Sequence, residues 1–393
     1  MISSLPLELT SIIVGFLDIS SKFSLSRTCR KFTRFLLIEN SLNNVIINSI
    51  TNGYTEIFVW LINRRKDLIC HNSKYYCTEA AKSGSFDILK YIYANELLFD
   101  AVMIRAPDVS CAASMNGHFD ILKWLLQNKC RRVDDNIFSG AAIHGRIDIL
   151  EYLLENGYRC GNTVFIKAAA SGQIKVLEWF RTRLGFSKKR GCKWNVRLYR
   201  ENVRLYSEAA INGHLEVVKW LYVNGCPYNR ETGGFAASNG HINILEWILE
   251  TIDDPWRDTH ACSYATKGNQ FEILKWLRMN GCPWNRHTCE NAAQNNNLKI
   301  LKWLHENGCP WDHNTCYYSA RNGNLNMLKY LHENGCPWNE YTCLQANTDD
   351  YLDILKYLHK NGCPWNSEMY DENSWREQAQ TFKYLRENGC PES

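Results

Sequence analysis

Several kinds of chemistry are missing from this sequence. It has no Walker loop, no nucleophile elbow, no zincin helix and no paired-glycine nucleotide turn. Those are the short patterns in which phosphate cradling, acyl transfer or zinc hydrolysis would show itself, so a non-enzymatic role is expected. Long hydrophobic runs are lacking too. Near the N-terminus the longest candidate, Ile12 to Leu17, has no basic segment ahead of it and follows Glu8 closely. It is far shorter than the roughly 20 residues of a membrane span. Neither sign of charge dominates, with 45 Lys and Arg against 41 Asp and Glu, so no global attraction to nucleic acid or membrane follows. Cysteine is plentiful at 17 residues, yet no C-x-x-C pair occurs, and structural zinc normally needs ligands that close. A reducing compartment, cytoplasm or nucleus, fits so many thiols in a chain of this size. No metal and no cofactor are implied.

What the chain has is repetition. Gly281, Gly308, Gly335, Gly362 and Gly389 are each followed by Cys-Pro and stand 27 residues apart, as do Trp276, Trp303, Tyr330, Tyr357 and Tyr384. A fixed short period is the signature of stacked repeats. In one unit, Ile300, Leu301 and Leu304 with Trp303 recur at helical spacing and give a short amphipathic helix. It should stop at Asn307-Gly308, where glycine takes the left-handed conformation and Pro310 forbids continuation. Thr315 reads as the N-cap of the next helix, which is brief, small-sided (Ser319-Ala320 here, Ala292-Ala293 one unit earlier) and ends at Gly323. Each unit is thus helix, tight turn, helix, loop, and none can bury its apolar face alone.

These residues resemble the ankyrin repeat. Gly213-His214-Leu215 and Gly240-His241-Ile242, each preceded by an alanine pair (Ala209-Ala210, Ala236-Ala237), match its pattern best. Two departures stand out. The ankyrin period is about 33 residues, and the usual Thr-Pro start is Thr-Cys here, at Thr288-Cys289, Thr315-Cys316 and Thr342-Cys343. The missing residues fall where ankyrin repeats project a β-hairpin, so plain loops are expected there. The resemblance implies an all-α solenoid over residues 41–393, about twelve units, with a C-terminal cap at 367–393. Glycine markers run from Gly53 through Gly84, Gly117, Gly145 and Gly172 to Gly213, Gly240 and Gly268. The last is read with one extra residue before its second helix. Asn296 and Asp350 stand where glycine is expected, and asparagine tolerates the left-handed region better than aspartate.

Residues 1–40 lie outside the repeat. Positions 9, 12, 13, 16 and 17 make one helical stripe and positions 25, 29, 32 and 36 a second. About 40 residues cannot bury a sufficient core unaided, so these helices either cap the stack or dock on another protein. The run Leu5-Pro6, Glu8-Leu9, Ile13, Leu17-Asp18, then Leu25-Ser26, Cys29-Arg30 and Phe32 resembles an F-box. That resemblance implies docking on the Skp1 subunit of a cullin-RING ubiquitin ligase through Leu5, Pro6, Leu9, Ile12, Ile13, Phe16, Leu17, Leu25, Cys29 and Phe32. The pairing of the two modules resembles proteins of large DNA viruses, in which case the ligase is the host's.

Three further features ask for a role. Residues 181–204 carry nine basic side chains against the single acid Glu201, among them Lys188, Lys189, Arg190 and Lys193. Nuclear localisation and phosphate contact are the functional readings, a solvated loop the plain one. The C-x6-C spacing at Cys282/Cys289, Cys309/Cys316 and Cys336/Cys343 reads as small buried core, since free cysteine behaves as a small hydrophobe. Trp284, Trp311, Trp338 and Trp365, with Tyr228, form a loop ladder whose strict recurrence favours packing across the shortened loop over ligand reading. The Leu-His-Glu-Asn-Gly of His305 and His332 reads as a helix end with a cation near its C-terminus.

The expected function is a protein–protein interaction adaptor, monomeric by itself. Its opening helices would recruit Skp1, and its repeats would capture a target protein. Ankyrin repeats bind through their short first helices and loop edges, which points to the non-repeating Arg286, Glu290, Tyr317, Tyr318, Tyr341 and Gln345. The alternatives are a scaffold without a ligase link and nucleic-acid contact through the basic insertion.

Overall fold

A computed structural model describes residues 39–64, 69–95, 107–128, 135–183, 199–256, 260–348, 351–365, 369 and 380–390. The F-box-like positions from Leu5 to Phe32, the basic positions Lys188, Lys189, Arg190 and Lys193, Asp350 and most of the 367–393 segment lie outside the described residues. Those described form helices and no strands. The chain divides into two compact units, residues 1–192 and 193–393.

In the first unit the helices pair as hairpins: α1 (Glu39–Thr51) with α2 (Thr55–Arg64), α3 (Ile69–Ser83) with α4 (Phe86–Ala94), α5 (Pro107–Met115) with α6 (Phe119–Gln127), α7 (Asp135–Ile143) with α8 (Ile147–Glu155), and α9 (Thr163–Ala170) with α10 (Ile174–Arg183). The second unit pairs α11 (Tyr199–Ile211) with α12 (Leu215–Val223), α13 (Thr232–Ser238) with α14 (Ile242–Thr251), and α15 (Ala261–Lys267) with α16 (Phe271–Met279). It continues with α17 (Arg286–Gln294) and α18 (Leu298–Glu306), α19 (His313–Arg321) and α20 (Leu325–Glu333), and α21 (Glu340–Thr348) and α22 (Leu352–Lys360). A final helix, α23 (Gln380–Glu387), packs beside α22.

Within each unit the hairpins stack in solenoid fashion, first helix against first helix. Alanine pairs make this approach possible: Ala80-Ala81, Ala141-Ala142, Ala168-Ala169, Ala209-Ala210 and Ala292-Ala293 are all fully buried. The second helices supply the larger apolar side chains. Ile300, Leu301 and Leu304 of α18, and Met327, Leu328 and Leu331 of α20, are buried in the same three places. Removing water from these stripes is what holds hairpins together that cannot stand singly.

The second helices end alike. After α18, the Cys309 amide bonds to Leu304 O at 2.9 Å and the Gly308 amide to His305 O at 2.9 Å, the paired Schellman bonds of a left-handed glycine cap. Asparagine ahead of the glycine adds a side-chain cap. The Nδ2 groups of Asn224, Asn280, Asn307, Asn334, Asn361 and Asn388 each donate to the carbonyl four residues back, at 2.7–2.8 Å. These carbonyls would otherwise lack intrahelical partners.

Consecutive hairpins are stitched by the residue before each second helix, which reaches the end of the preceding first helix. His118 Nε2 lies 3.0 Å from Lys82 O, Arg146 Nη1 donates to Gly117 O at 2.8 Å, and Gln173 Nε2 donates to Ile143 O at 3.0 Å. His241 Nε2 lies 2.9 Å from Ile211 O in the second unit. There Asn297 and Asn324 do the same work through the side-chain oxygens of Asn269 and Asn296, at 2.7 and 2.5 Å.

Two expectations are corrected. Thr315 is not an N-cap: α19 starts at His313, and the Asp312 side chain accepts from the Asn314 amide at 3.0 Å. At α17 the cap is Asn285, in a capping box with Thr288. An Asn or Asp at the end of the extended Pro-Trp step reaches the free amides before the threonine does. Nor does an extra residue follow Gly268. The left-handed residue is Asn269 at φ +60°, in register with Asn296 at φ +57°. Gly268 is the ordinary helix C-cap, and a Cβ there would meet the Ser238 carbonyl oxygen at 1.8 Å. That glycine serves close packing between first helices.

Candidate functional site

The first helices α17, α19 and α21 carry the six side chains singled out from sequence. Arg286 opens α17 with its side chain 59% exposed, and its Nε lies 3.5 Å from Asp312 Oδ2 at the cap of α19. Tyr317 and Tyr318 are half-buried and meet edge to face at 5.2 Å between ring centroids. Tyr341, near the start of α21, is 53% exposed, and Gln345 is half-buried on the same helix.

Glu290 differs. It is only 9% exposed, receives a bond from His287 Nδ1 at 2.7 Å and another from Asn314 Nδ2 at 3.1 Å. Burial by itself would raise its carboxyl, but these bonds outweigh it and hold the group below the ordinary carboxylate value. The carboxylate ties α17 to α19.

Register extends the face beyond those six. Phe235, Tyr264, Asn291, Tyr318 and Gln345 occupy one place in successive first helices, all half-buried. Phe235 and Tyr264 touch edge to face at 5.6 Å, and Asn291 Nδ2 donates to Ser263 O at 2.9 Å. One helical turn further on, Lys267, Gln294 and Arg321 are exposed. The result is a strip with a floor of rings and amides and a partly cationic edge, suited to holding a polypeptide by apolar contact and hydrogen bonds. Sequence reading missed Phe235, Tyr264, Lys267 and Arg321. The signal was present, three and four residues apart in repeats whose markers had already been found.

The loop ladder lies on the other helix layer. Trp311, Trp338 and Trp365 stack on His305, His332 and His359 at 3.9–4.0 Å. His305 Nδ1 lies 3.0 Å from the Tyr330 hydroxyl of the next second helix, and His359 Nδ1 lies 2.9 Å from that of Tyr384. In the preceding repeat Arg278 takes the histidine's place, 4.2 Å over Trp284. Each joint passes from loop tryptophan through a cation or imidazole to the next aromatic ring. Trp256, which follows no Gly-Cys-Pro step, sits against Trp276 at 6.3 Å and extends the series.

The insertion is visible only at its ends. Arg183 closes α10 beside Glu155 at 3.6 Å, and α11, at 13 residues, is longer than the other first helices of its unit. Among the described residues no helix is long and apolar enough to cross a membrane, and no cluster of three or more His, Cys, Asp or Glu is placed to hold a metal.

Stacked hairpins that display side chains along their first helices define an interaction scaffold. Family models make it specific: ankyrin repeats are found at residues 140–181, 207–288 and 290–369, and an F-box domain at residues 2–42. The chain carries ankyrin repeats behind an F-box domain. No curated protein matches it. Among solved structures it is similar to a pentatricopeptide repeat protein from maize, PPR10, at 13% identity and a TM-score of 0.32, with 94% of this chain and 64% of that one covered. The same protein in complex with an 18-nt RNA element is matched at 13% identity and a TM-score of 0.27, over 94% and 63%. The chain thus spans just under two thirds of those relatives' length.

Proposed function

We propose that this chain delivers a target protein to a cullin-RING ubiquitin ligase. The observation that carries the reading is the joining of an F-box domain, at residues 2–42, to ankyrin repeats in one polypeptide. The F-box recruits Skp1 through the apolar stripe of Leu5, Pro6, Leu9, Ile12, Ile13, Phe16, Leu17, Leu25, Cys29 and Phe32. The target lies along the first helices of the second unit, against Arg286, Tyr317, Tyr318, Tyr341 and Gln345. Glu290 contributes by fixing α17 to α19, since its carboxylate is already engaged. Because the pairing resembles adaptors of large DNA viruses, the ligase on this reading belongs to a host cell.

Pulldown with Skp1 tests the first half. Wild-type chain should retain Skp1, and the double variant Leu9→Asp plus Phe16→Asp should lose it, since a charge in an apolar interface core abolishes docking. Retention by the double variant would remove the ligase link. The second half is tested by affinity capture from the native cell: alanine at Arg286, Tyr318 and Tyr341 together should release target while Skp1 binding persists.

A further inference from the structure

Along the second unit, burial brings sulfur against sulfur. The first helix of a hairpin runs antiparallel to its second, so a cysteine near the start of one lies beside the Gly-Cys-Pro step that follows the other. Cys262 lies beside Cys282 in this way, Cys289 beside Cys309, Cys316 beside Cys336 and Cys343 beside Cys363. All eight are buried and reduced. Backbone carbonyls fix the sulfurs in place: Cys262 Sγ donates to Cys282 O at 3.7 Å and Cys289 Sγ to Cys309 O at 3.9 Å. Cys309, Cys336 and Cys363 donate across to Asn285 O, Asp312 O and Asn339 O at 3.5, 3.3 and 3.4 Å. The cysteines that meet are 20 residues apart in sequence. The C-x6-C neighbours are not the partners.

A buried thiol is ordinarily inert. These differ in having a second thiol close by, four times over at one repeat interval. We propose that the four pairs are disulfide-forming sites, each closing the open end of one helical hairpin when the protein meets hydrogen peroxide. One thiol loses its proton and its sulfur attacks a peroxide oxygen; the O–O bond breaks, leaving a sulfenic acid and a hydroxide that takes up the proton as water. The partner sulfur then attacks the sulfenic sulfur. The S–S bond forms as the S–O bond breaks, and the hydroxyl leaves with the second proton as another water. Two thiols and one peroxide give one disulfide and two waters, two electrons passing from sulfur to oxygen. The product is neutral and apolar, so it leaves no charge in the core. The neighbouring thiol and, after it, burial push Cys262, Cys289, Cys336 and Cys343 well above the ordinary thiol value, and burial makes attack wait for a brief local opening of the hairpin. The bridge then restricts that opening.

The second unit holds its own control. In the hairpin of α11 and α12 a tyrosine replaces the first-helix cysteine, and the Tyr206 hydroxyl donates to Cys226 O at 3.2 Å. Full-length chain should be treated with hydrogen peroxide, its remaining thiols alkylated under denaturing conditions, and the protein digested with trypsin and chymotrypsin without reductant. Mass spectrometry should find four bridges, 262–282, 289–309, 316–336 and 343–363, each lighter by two hydrogens and reversed by dithiothreitol, with Cys226 alkylated. The urea midpoint of the oxidised protein should rise. Full alkylation of all eight thiols, sulfinic acids without bridges, or bridges between other partners such as Cys282 and Cys289 would overturn the proposal. With Cys316→Ala, Cys336 should stay alkylatable while the other three bridges form; a new partner for Cys336 would also overturn it.

Discussion

Phe138 in the first unit and Cys316 in the second hold the same place in their hairpins, each seven residues ahead of the left-handed glycine that ends the first helix, at Gly145 and Gly323. Both are fully buried. In the first unit a single ring fills the volume. In the second, the volume is shared between Cys316 and Cys336, which arrives from beyond the following helix. The stitching between hairpins varies too, within the second unit as well: His118, Arg146, Gln173 and His241 reach backbone carbonyls, whereas Asn297 and Asn324 reach another asparagine. Neither contrast alters the hairpin. What the repeat preserves is filled volume and satisfied carbonyls, and different side chains can supply them.

That equivalence is most exposed to truncation of the core. Phe138→Ala should cost about 3–5 kcal/mol, as for other buried rings. Cys316→Ala, at the same place, should cost only about 1 kcal/mol, because little more than one methylene's worth of volume goes. Urea denaturation of both variants measures the difference, and equal losses would break the comparison. A smaller effect separates the stitches. Arg146→Ala and Asn324→Ala should each cost about 1 kcal/mol. Salt should shrink only the Arg146 loss, because that side chain also pairs with Asp148 at 2.7 Å on a partly exposed surface.

The smallest effect is in pH. Glu290 and Asp148 are both held below their ordinary carboxyl values, Glu290 by bonds from His287 and Asn314 against the opposing effect of burial, Asp148 chiefly by its bond to Arg146. A depressed folded value means the contribution is complete above the ordinary value, 4.5 for Glu290, and is lost as pH falls through the folded one. Glu290→Gln and Asp148→Asn should each flatten part of the acid limb of stability. High salt should erase the Asp148 part and leave that of Glu290, whose carboxylate is buried.

Much of this was legible in the chain. The 27-residue interval, the alanine pairs and the apolar triplets each name one helix and the face it buries, because a single hairpin's pattern depends on neighbours three and four residues away. The N-cap at Asp312 and the left-handed Asn269 were misplaced by one to three residues. Propensity allows threonine to cap and glycine to turn, and only the path of the chain chooses between adjacent candidates. The candidate face was legible in part. Tyr318 and Tyr341 were visible as departures from the repeat, but nothing local reveals that Glu290 is tied down by a residue 24 positions later.

By itself the sequence determined the hairpin and its repetition, since helical periodicity, small residues and glycine stops act within a few residues of one another. Which side chains meet across repeats was decided by the stacked structure. Cys262 with Cys282, Trp311 with His305 and Tyr330, and Glu290 with Asn314 depend on how one hairpin lies on the next or closes on itself. Such contacts join positions six to 24 residues apart, and no spacing rule ranks one such pairing above another.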